Sequence, residues 1–211
     1  MHSVIFDVDG TLWDITGKAA HIWQQISRKY GASADHITAE RLKQEFGKPL
    51  EAIGRSLFPD LPEETMLRIT SESCSEEIPF LYQNPPKVFP GVRELFAALQ
   101  EKGYPVYIVS NCQKGYIEAV LDTNDLGGYV NGHLCAGDTG LGKAETMLQL
   151  IRETGAPDPV YVGDTSGDFI ATKEAGLPFI FAAYGYGEVS SEDADAVIRT
   201  PLELLDVIDR V

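Results

Sequence analysis

Val4-Ile5-Phe6-Asp7-Val8-Asp9-Gly10-Thr11 is a short apolar run of β-forming residues that ends in two carboxylates two positions apart, followed by a glycine. Alternate residues of a strand point to one side, so Asp7 and Asp9 are expected to face one reacting group if the strand runs that far. Gly10 allows a sharp exit from it. An apolar strand normally excludes carboxylates, and two placed close together are unfavourable unless a cation or a shared proton compensates. A plain turn also uses Asp and Gly. The buried run in front of them favours a reaction centre, with a divalent metal as the compensating charge.

Outward from this strand, the runs 106–109, 160–162 and 179–183 have the same texture and read as buried parallel strands. Helical spacing lies between them at 92–102, 116–121, 143–153 and 167–175, and such alternation implies an α/β sheet. Segments 129–135 and 196–198 are expected as edge strands and 202–208 as a closing amphipathic helix. The stretch 15–85 differs, with helical spacing at 19–30, 39–46, 51–57 and 63–82 and no convincing strand. The expected organisation is a core of residues 1–14 and 86–211 carrying a helical cap of residues 15–85. Hinges are expected at 14–17 and at Asn84-Pro85-Pro86.

The chain has 211 residues, 44% hydrophobic and 23% charged, the composition of a globular protein with a buried core. A formal charge of −15 repels nucleic acid and anionic membranes, so neither is an expected partner. An acidic protein that handles an anionic substrate must reverse its potential locally, with a metal ion and a few Lys or Arg residues. Cys74, Cys112 and Cys135 form no Cys-x-x-Cys pair and are expected as reduced thiols. No leader pattern precedes the first strand and no apolar run approaches the ~20 residues of a membrane span, so a cytoplasmic location is expected. With no sustained heptad or exposed apolar stripe, monomer and homodimer both stay open.

Four chemistry-bearing features recur at strand ends or helix starts, where open α/β sheets place their ligands. They are Asp7 and Asp9, Ser110-Asn111, Lys143, and Gly163-Asp164-Thr165-Ser166-Gly167-Asp168. Singly, each has an ordinary reading: Ser110 and Asn111 as helix caps, Lys143 as a solvated charge, Asp164 and Asp168 as turn residues. In this order they resemble the four motifs of the haloacid dehalogenase-like hydrolase superfamily, and the resemblance covers nearly the whole chain. Phe89-Pro90-Gly91-Val92 and Lys173-Glu174-Ala175-Gly176-Leu177-Pro178 are similar to the phosphoglycolate-phosphatase-like branch.

The resemblance implies a doubly wound, mainly parallel, Rossmann-like core with an inserted helical cap, and a Mg²⁺-dependent phosphatase acting on a small phosphorylated molecule. It casts Asp7 as the nucleophile that forms an aspartyl-phosphate and Asp9 as the acid and then the base. Thr11, Ser110 and Asn111 would hold the phosphoryl group, with Lys143 neutralising it and holding Asp7. Asp7, Asp164 and the backbone carbonyl of Asp9 would bind Mg²⁺, and Asp168 would support that site indirectly. Dehalogenases and phosphonatases of the superfamily usually lack an acid at the position of Asp9. Phosphosugar mutases keep it but often have Val or Ile where this chain has Thr11, so hydrolysis is expected ahead of mutase chemistry. A noncatalytic phospho-accepting domain would gain nothing from Asp9 and a cap. Lys48, in Phe46-Gly47-Lys48-Pro49, and Arg55 are expected to meet the leaving group.

Overall fold

The computed structural model describes residues 2–211 and centres on a six-stranded, all-parallel sheet in the order β3-β2-β1-β4-β5-β6. The strands are β1 (Ser3–Phe6), β2 (Val106–Ser110), β3 (Gly132–Cys135), β4 (Pro159–Gly163), β5 (Phe179–Ala182) and β6 (Ala196–Ile198). Val4 stands between Val106 and Val160, and Phe6 between Ile108 and Val162. Every residue of β1 and β2 is buried, as expected of parallel strands covered on both faces.

The two faces carry separate apolar clusters. Val4, Phe6, Ile108 and Val162 lie in one, with Phe96 and Ile117 from the covering helices α5 (Val92–Glu101) and α6 (Tyr116–Thr123). Ile5, Tyr107, Val109 and Tyr161 lie in the other, with Met147 and Leu150 of α8 (Lys143–Thr154), which follows the short α7 (Ala136–Thr139), and Ala171 of α9 (Ser166–Glu174). Strand alternation thus sorts one hydrophobic sequence into two helix-covered layers. The chain winds from β1 out to β3 and then returns to the other side through β4. The strand order therefore reverses at β1, where the carboxyl ends of β1 and β4 leave a crevice.

Between β1 and α5 the chain forms α1 (Thr16–Lys29), α2 (Ala39–Lys43), α3 (Leu50–Leu57) and α4 (Glu63–Gln83). α1 packs on α2 and α4, α3 packs on α4, and α4 also touches α6. The two connections to this helical segment lie side by side: the Phe89 amide donates to the Leu12 carbonyl (2.8 Å) and Trp13 bridges Val88.

Three local expectations are corrected. β1 stops at Phe6 instead of carrying Asp7 and Asp9 on one pleat. The Val8 carbonyl collects the amides of Thr11, Leu12 and Trp13 (3.2, 2.7 and 3.3 Å), which turns the chain at once, with Gly10 at φ +82°. Residues 129–135 are strand only over Gly132–Cys135, because Gly127–Tyr129 closes a 3₁₀ turn first. The closing helix is broken into 3₁₀ turns on either side of α10 (Leu204–Val207). The three cysteines are free and buried. Among the described residues, no helix is long and apolar enough to cross a membrane.

Candidate active site

The sheet carries three groups to the crevice by its strand ends, and two helix starts bring two more. Asp7 follows β1, and its own amide still donates to the Val162 carbonyl of β4 (2.9 Å), which holds it in register after the strand has ended. Ser110 ends β2 and Asp164 follows β4. Lys143 opens α8, whose other end is stopped by Gly155 at φ +66°. Asp168 sits in the first turn of α9. There Thr165 caps the helix and its hydroxyl donates to Asp168 Oδ2 (2.6 Å), while its amide donates to the same atom (3.0 Å). Asp168 is thus the capping-box acid as well as a wall of the site.

Lys143 is not a solvated charge. Its side chain is 3% exposed, and its ammonium donates to Asp7 Oδ1 (3.0 Å) and Asp168 Oδ1 (2.5 Å). Burial works against its charge, but Asp168 and Asp7 outweigh that and raise its pKa. Asp164 accepts from the Thr11 hydroxyl (3.2 Å) and the Tyr186 amide (2.7 Å). Burial lifts its pKa well above the carboxylate range, and Asp168 and Asp7 add to the rise. Asp7 is pushed up to about 6, mainly by burial, with Asp168 raising it further and Lys143 opposing.

Asp7, Asp164 and Asp168 are all buried, and each offers a carboxylate oxygen within 4.8 Å of the others. Asp7 Oδ2 is buried with no hydrogen-bond partner among the described residues. Three buried carboxylates thus face a single ammonium, an imbalance that a hard divalent cation with oxygen ligands would relieve. Asp168 already accepts from Lys143, Thr165 and Tyr161, so Asp7 and Asp164 have more bonding capacity left. A side chain at Gly10 would collide with the Asp164 carboxylate, so the positive φ and the missing Cβ serve one close approach.

Asp9 lies on the other side of Asp7. Its Oδ1 accepts from the Tyr116 hydroxyl (2.6 Å) and from Trp13 Nε1 (3.0 Å). Loss of hydration raises its pKa to about 7, helped by Asp7 and Glu77 and opposed by the two hydrogen bonds. Asp7 and Asp9 both line a narrow cavity of about 30 Å³ between the strand ends and the helical segment, as do Ser110, Asn111, Lys48 and Glu77. A wider cleft of about 760 Å³ adjoins it and reaches Lys143, Thr165 and Tyr186. Asn111 and the 46–48 segment border both spaces, and Asn111 Nδ2 donates to the Gly47 carbonyl (2.8 Å), tying the strand end to the helical segment.

Two expected residues are placed elsewhere. Thr11 is fully buried, lines neither cavity and spends its hydroxyl on Asp164. Arg55 also lines neither, being half-exposed on α3 and paired with Glu51 and Glu63. Ser110 and Asn111 do not cap a helix, because α6 begins only at Tyr116. Lys48 does border both spaces, with its ammonium on Glu45 Oε2 (2.8 Å).

Sequence reasoning missed Glu77, Tyr116, Gln113 and Tyr186. Glu77 had a signal. Met66, Thr70, Ser73, Cys74, Glu77 and Leu81 follow one helical stripe of α4, and all six are buried. An acid at that phase is out of place on statistics alone. Tyr186 acts through its backbone amide, which leaves no mark on residue type.

A model of the family described as haloacid dehalogenase-like hydrolase matches residues 4–182. The chain is 25% identical to a phosphoglycolate phosphatase of Aquifex aeolicus, covering 99% of this chain and 97% of that protein. It is 27% identical to that of Synechococcus elongatus (100% and 99% covered) and 28% identical to that of Vibrio vulnificus (97% and 95%). Among solved structures, a predicted phosphatase from Clostridium acetobutylicum superposes with TM-score 0.84 at 18% identity, covering 100% of this chain and 99% of that one. A predicted phosphoglycolate phosphatase from Haemophilus somnus gives TM-score 0.85 at 16% identity, covering 99% and 98%.

Proposed function

Because the chain belongs to the haloacid dehalogenase-like hydrolase family, whose phosphoglycolate phosphatase members it matches along nearly its full length, we propose that it hydrolyses a small phosphomonoester through an aspartyl-phosphate on Asp7. The observation that carries this reading is the buried Asp7 carboxylate, held at Oδ1 by Lys143 with Oδ2 unpartnered, beside an Asp9 whose pKa is raised to about 7.

An Asp7 oxygen attacks phosphorus and the bond to the alcohol oxygen breaks, while Asp9, as the carboxylic acid, gives its proton to that oxygen. Asp9, now a carboxylate, takes a proton from water. The water oxygen attacks phosphorus, and the bond to Asp7 breaks to release phosphate. An acid near pH 7 can serve in both directions, which is what loss of hydration at Asp9, with Asp7 and Glu77 nearby, provides against the hydrogen bonds from Tyr116 and Trp13. Lys143 orients Asp7 and offsets the charge of the phosphoryl oxygens, with Ser110 and Asn111 at the cavity wall to bind them.

Asp7 and Asp164, with the backbone carbonyl of Asp9, are the residues that would hold Mg²⁺, and Asp168 would support them while bound to Lys143 and Thr165. When bound, Mg²⁺ supplies charge stabilisation to the transferring group. Residues 15–85 would act as the cap, with Asn111 and the Gly47 carbonyl as the latch between cap and core. Phosphoglycolate-like molecules and sugar phosphates are the two candidate substrate classes, and the walls of the narrow cavity decide between them.

The test is phosphate release from a panel of phosphomonoesters and an aryl phosphate, with Mg²⁺ and with EDTA, in wild type and Asp7→Asn. Release that needs both the metal and Asp7 is expected. Equal release from Asp7→Asn would overturn the mechanism.

A further inference from the structure

We infer, building on the phosphatase reading, that Glu77 sets the leaving-group specificity of the narrow cavity, selecting an alcohol that bears hydrogen-bond donors, hydroxyl or ammonium, and disfavouring one that bears a carboxylate. Glu77 is 4% exposed and comes from the buried stripe of α4. Its Oε1 accepts from Trp23 Nε1 (2.8 Å) on α1 and its Oε2 from Gln113 Nε2 (2.9 Å), in the loop that follows β2. Gln113 also donates to the Cys74 carbonyl (3.1 Å). The carboxyl group is thus held between the helical segment and the core, at the wall of the cavity.

Both partners are neutral. Among the described residues no Lys, Arg or His forms an ion pair with Glu77, and burial raises its pKa to about 7 against the two hydrogen bonds. A carboxylate desolvated without a counter-charge is costly, and a donor arriving on a ligand relieves that cost. A ligand carboxylate would instead bring a second negative group against the buried Glu77.

The cation on the wall does not reverse this. Lys48 is half-exposed where the two cavities meet, and its ammonium is engaged by Glu45, which Arg41 also pairs (2.9 Å). A hydroxyl suits both sides at once, accepting from Lys48 and donating to Glu77.

The test compares kcat/KM for 2-aminoethyl phosphate, glycerol phosphate and phosphoglycolate in wild type, Glu77→Gln and Glu77→Asp. Aryl phosphate turnover in wild type and Asp7→Asn gauges the underlying reading. Wild type is expected to prefer the amino and hydroxyl substrates over phosphoglycolate by about tenfold or more. Glu77→Gln should collapse that ratio, and Glu77→Asp, which keeps the charge, should retain its direction. A merely structural role would lower all three substrates together in Glu77→Gln with the ratio intact, and that result overturns the inference. So does a wild-type preference for phosphoglycolate while aryl phosphate turnover still needs Asp7. Loss of Asp7-dependent aryl turnover altogether would overturn the phosphatase reading, and this inference with it.

Discussion

Lys143 and Lys48 both border the cleft, and their surroundings are opposite. Lys143 is 3% exposed and is held by Asp7 and Asp168, the first of them 136 residues away in the chain. Lys48 is 48% exposed and is held by Glu45, three residues before it. A charge locked by a distant strand end and by the first turn of another helix cannot reorient without disturbing both, whereas one held by its own segment moves with that segment. The core corner is therefore preorganised for chemistry, and the helical segment presents a wall that can vary with few consequences for the fold. The two regions meet through a small number of bonds, chiefly Asn111 to the Gly47 carbonyl and Gln113 to Glu77 and the Cys74 carbonyl.

Removing each lysine should expose this contrast most strongly. Lys143→Met leaves Asp7 and Asp168 buried without a counter-charge and is expected to cost about 3–5 kcal/mol in urea unfolding with EDTA present. Lys48→Met should cost within about 1 kcal/mol. Equal losses would break the comparison.

The next largest effect concerns pH. Glu77 is held near 7, above its ordinary 4.5, so the folded protein binds this proton at a pH where the unfolded chain has released it. The stability this contributes is fully present below about pH 4.5 and is lost as pH rises through about 7. Unfolding at a series of pH values should show the decline, and Glu77→Gln should flatten it by roughly 3 kcal/mol over that window.

Asn111→Ala removes the tie to Gly47 and a wall of the cavity. Loss of one hydrogen bond, worth about 0.5–1.5 kcal/mol, predicts a rise in KM of about 2–10-fold, read from steady-state kinetics. Arg55→Ala should be the weakest change. With its guanidinium on surface acids and away from both cavities, stability should shift by less than about 0.5 kcal/mol and KM should hold. A large KM effect would bring Arg55 back to the substrate.

The core was readable because Asp7 and Asp164 directly follow apolar strands, where a buried run leaves few other uses for a carboxylate, while Lys143 stands out only by its place in the order of motifs. The order of motifs then brought together side chains that only the reversal of strand order at β1 makes neighbours. The site's finer geometry was less accessible. The turn at Val8 depends on one carbonyl taking three amides, which residue types do not announce. Thr11 looks like a phosphoryl ligand until its hydroxyl is seen on Asp164. On the helical segment the reading weighed cations, as the acidic composition invited, and passed over an acid at a buried phase. Helical periodicity alone places Arg55 opposite the buried Ile53 and Leu57 and Glu77 among the buried positions, so both were within reach of the pattern.

The central claim is that Asp7 carries the phosphoryl group. The direct measurement is acid-quenched single turnover of an aryl phosphate with Mg²⁺, followed by mass mapping of the N-terminal peptide. The account predicts that Asp7 gains the mass of one phosphoryl group, released by hydroxylamine and absent in Asp7→Asn. Full turnover with that peptide unmodified, or with the phosphoryl group on another residue, would contradict it.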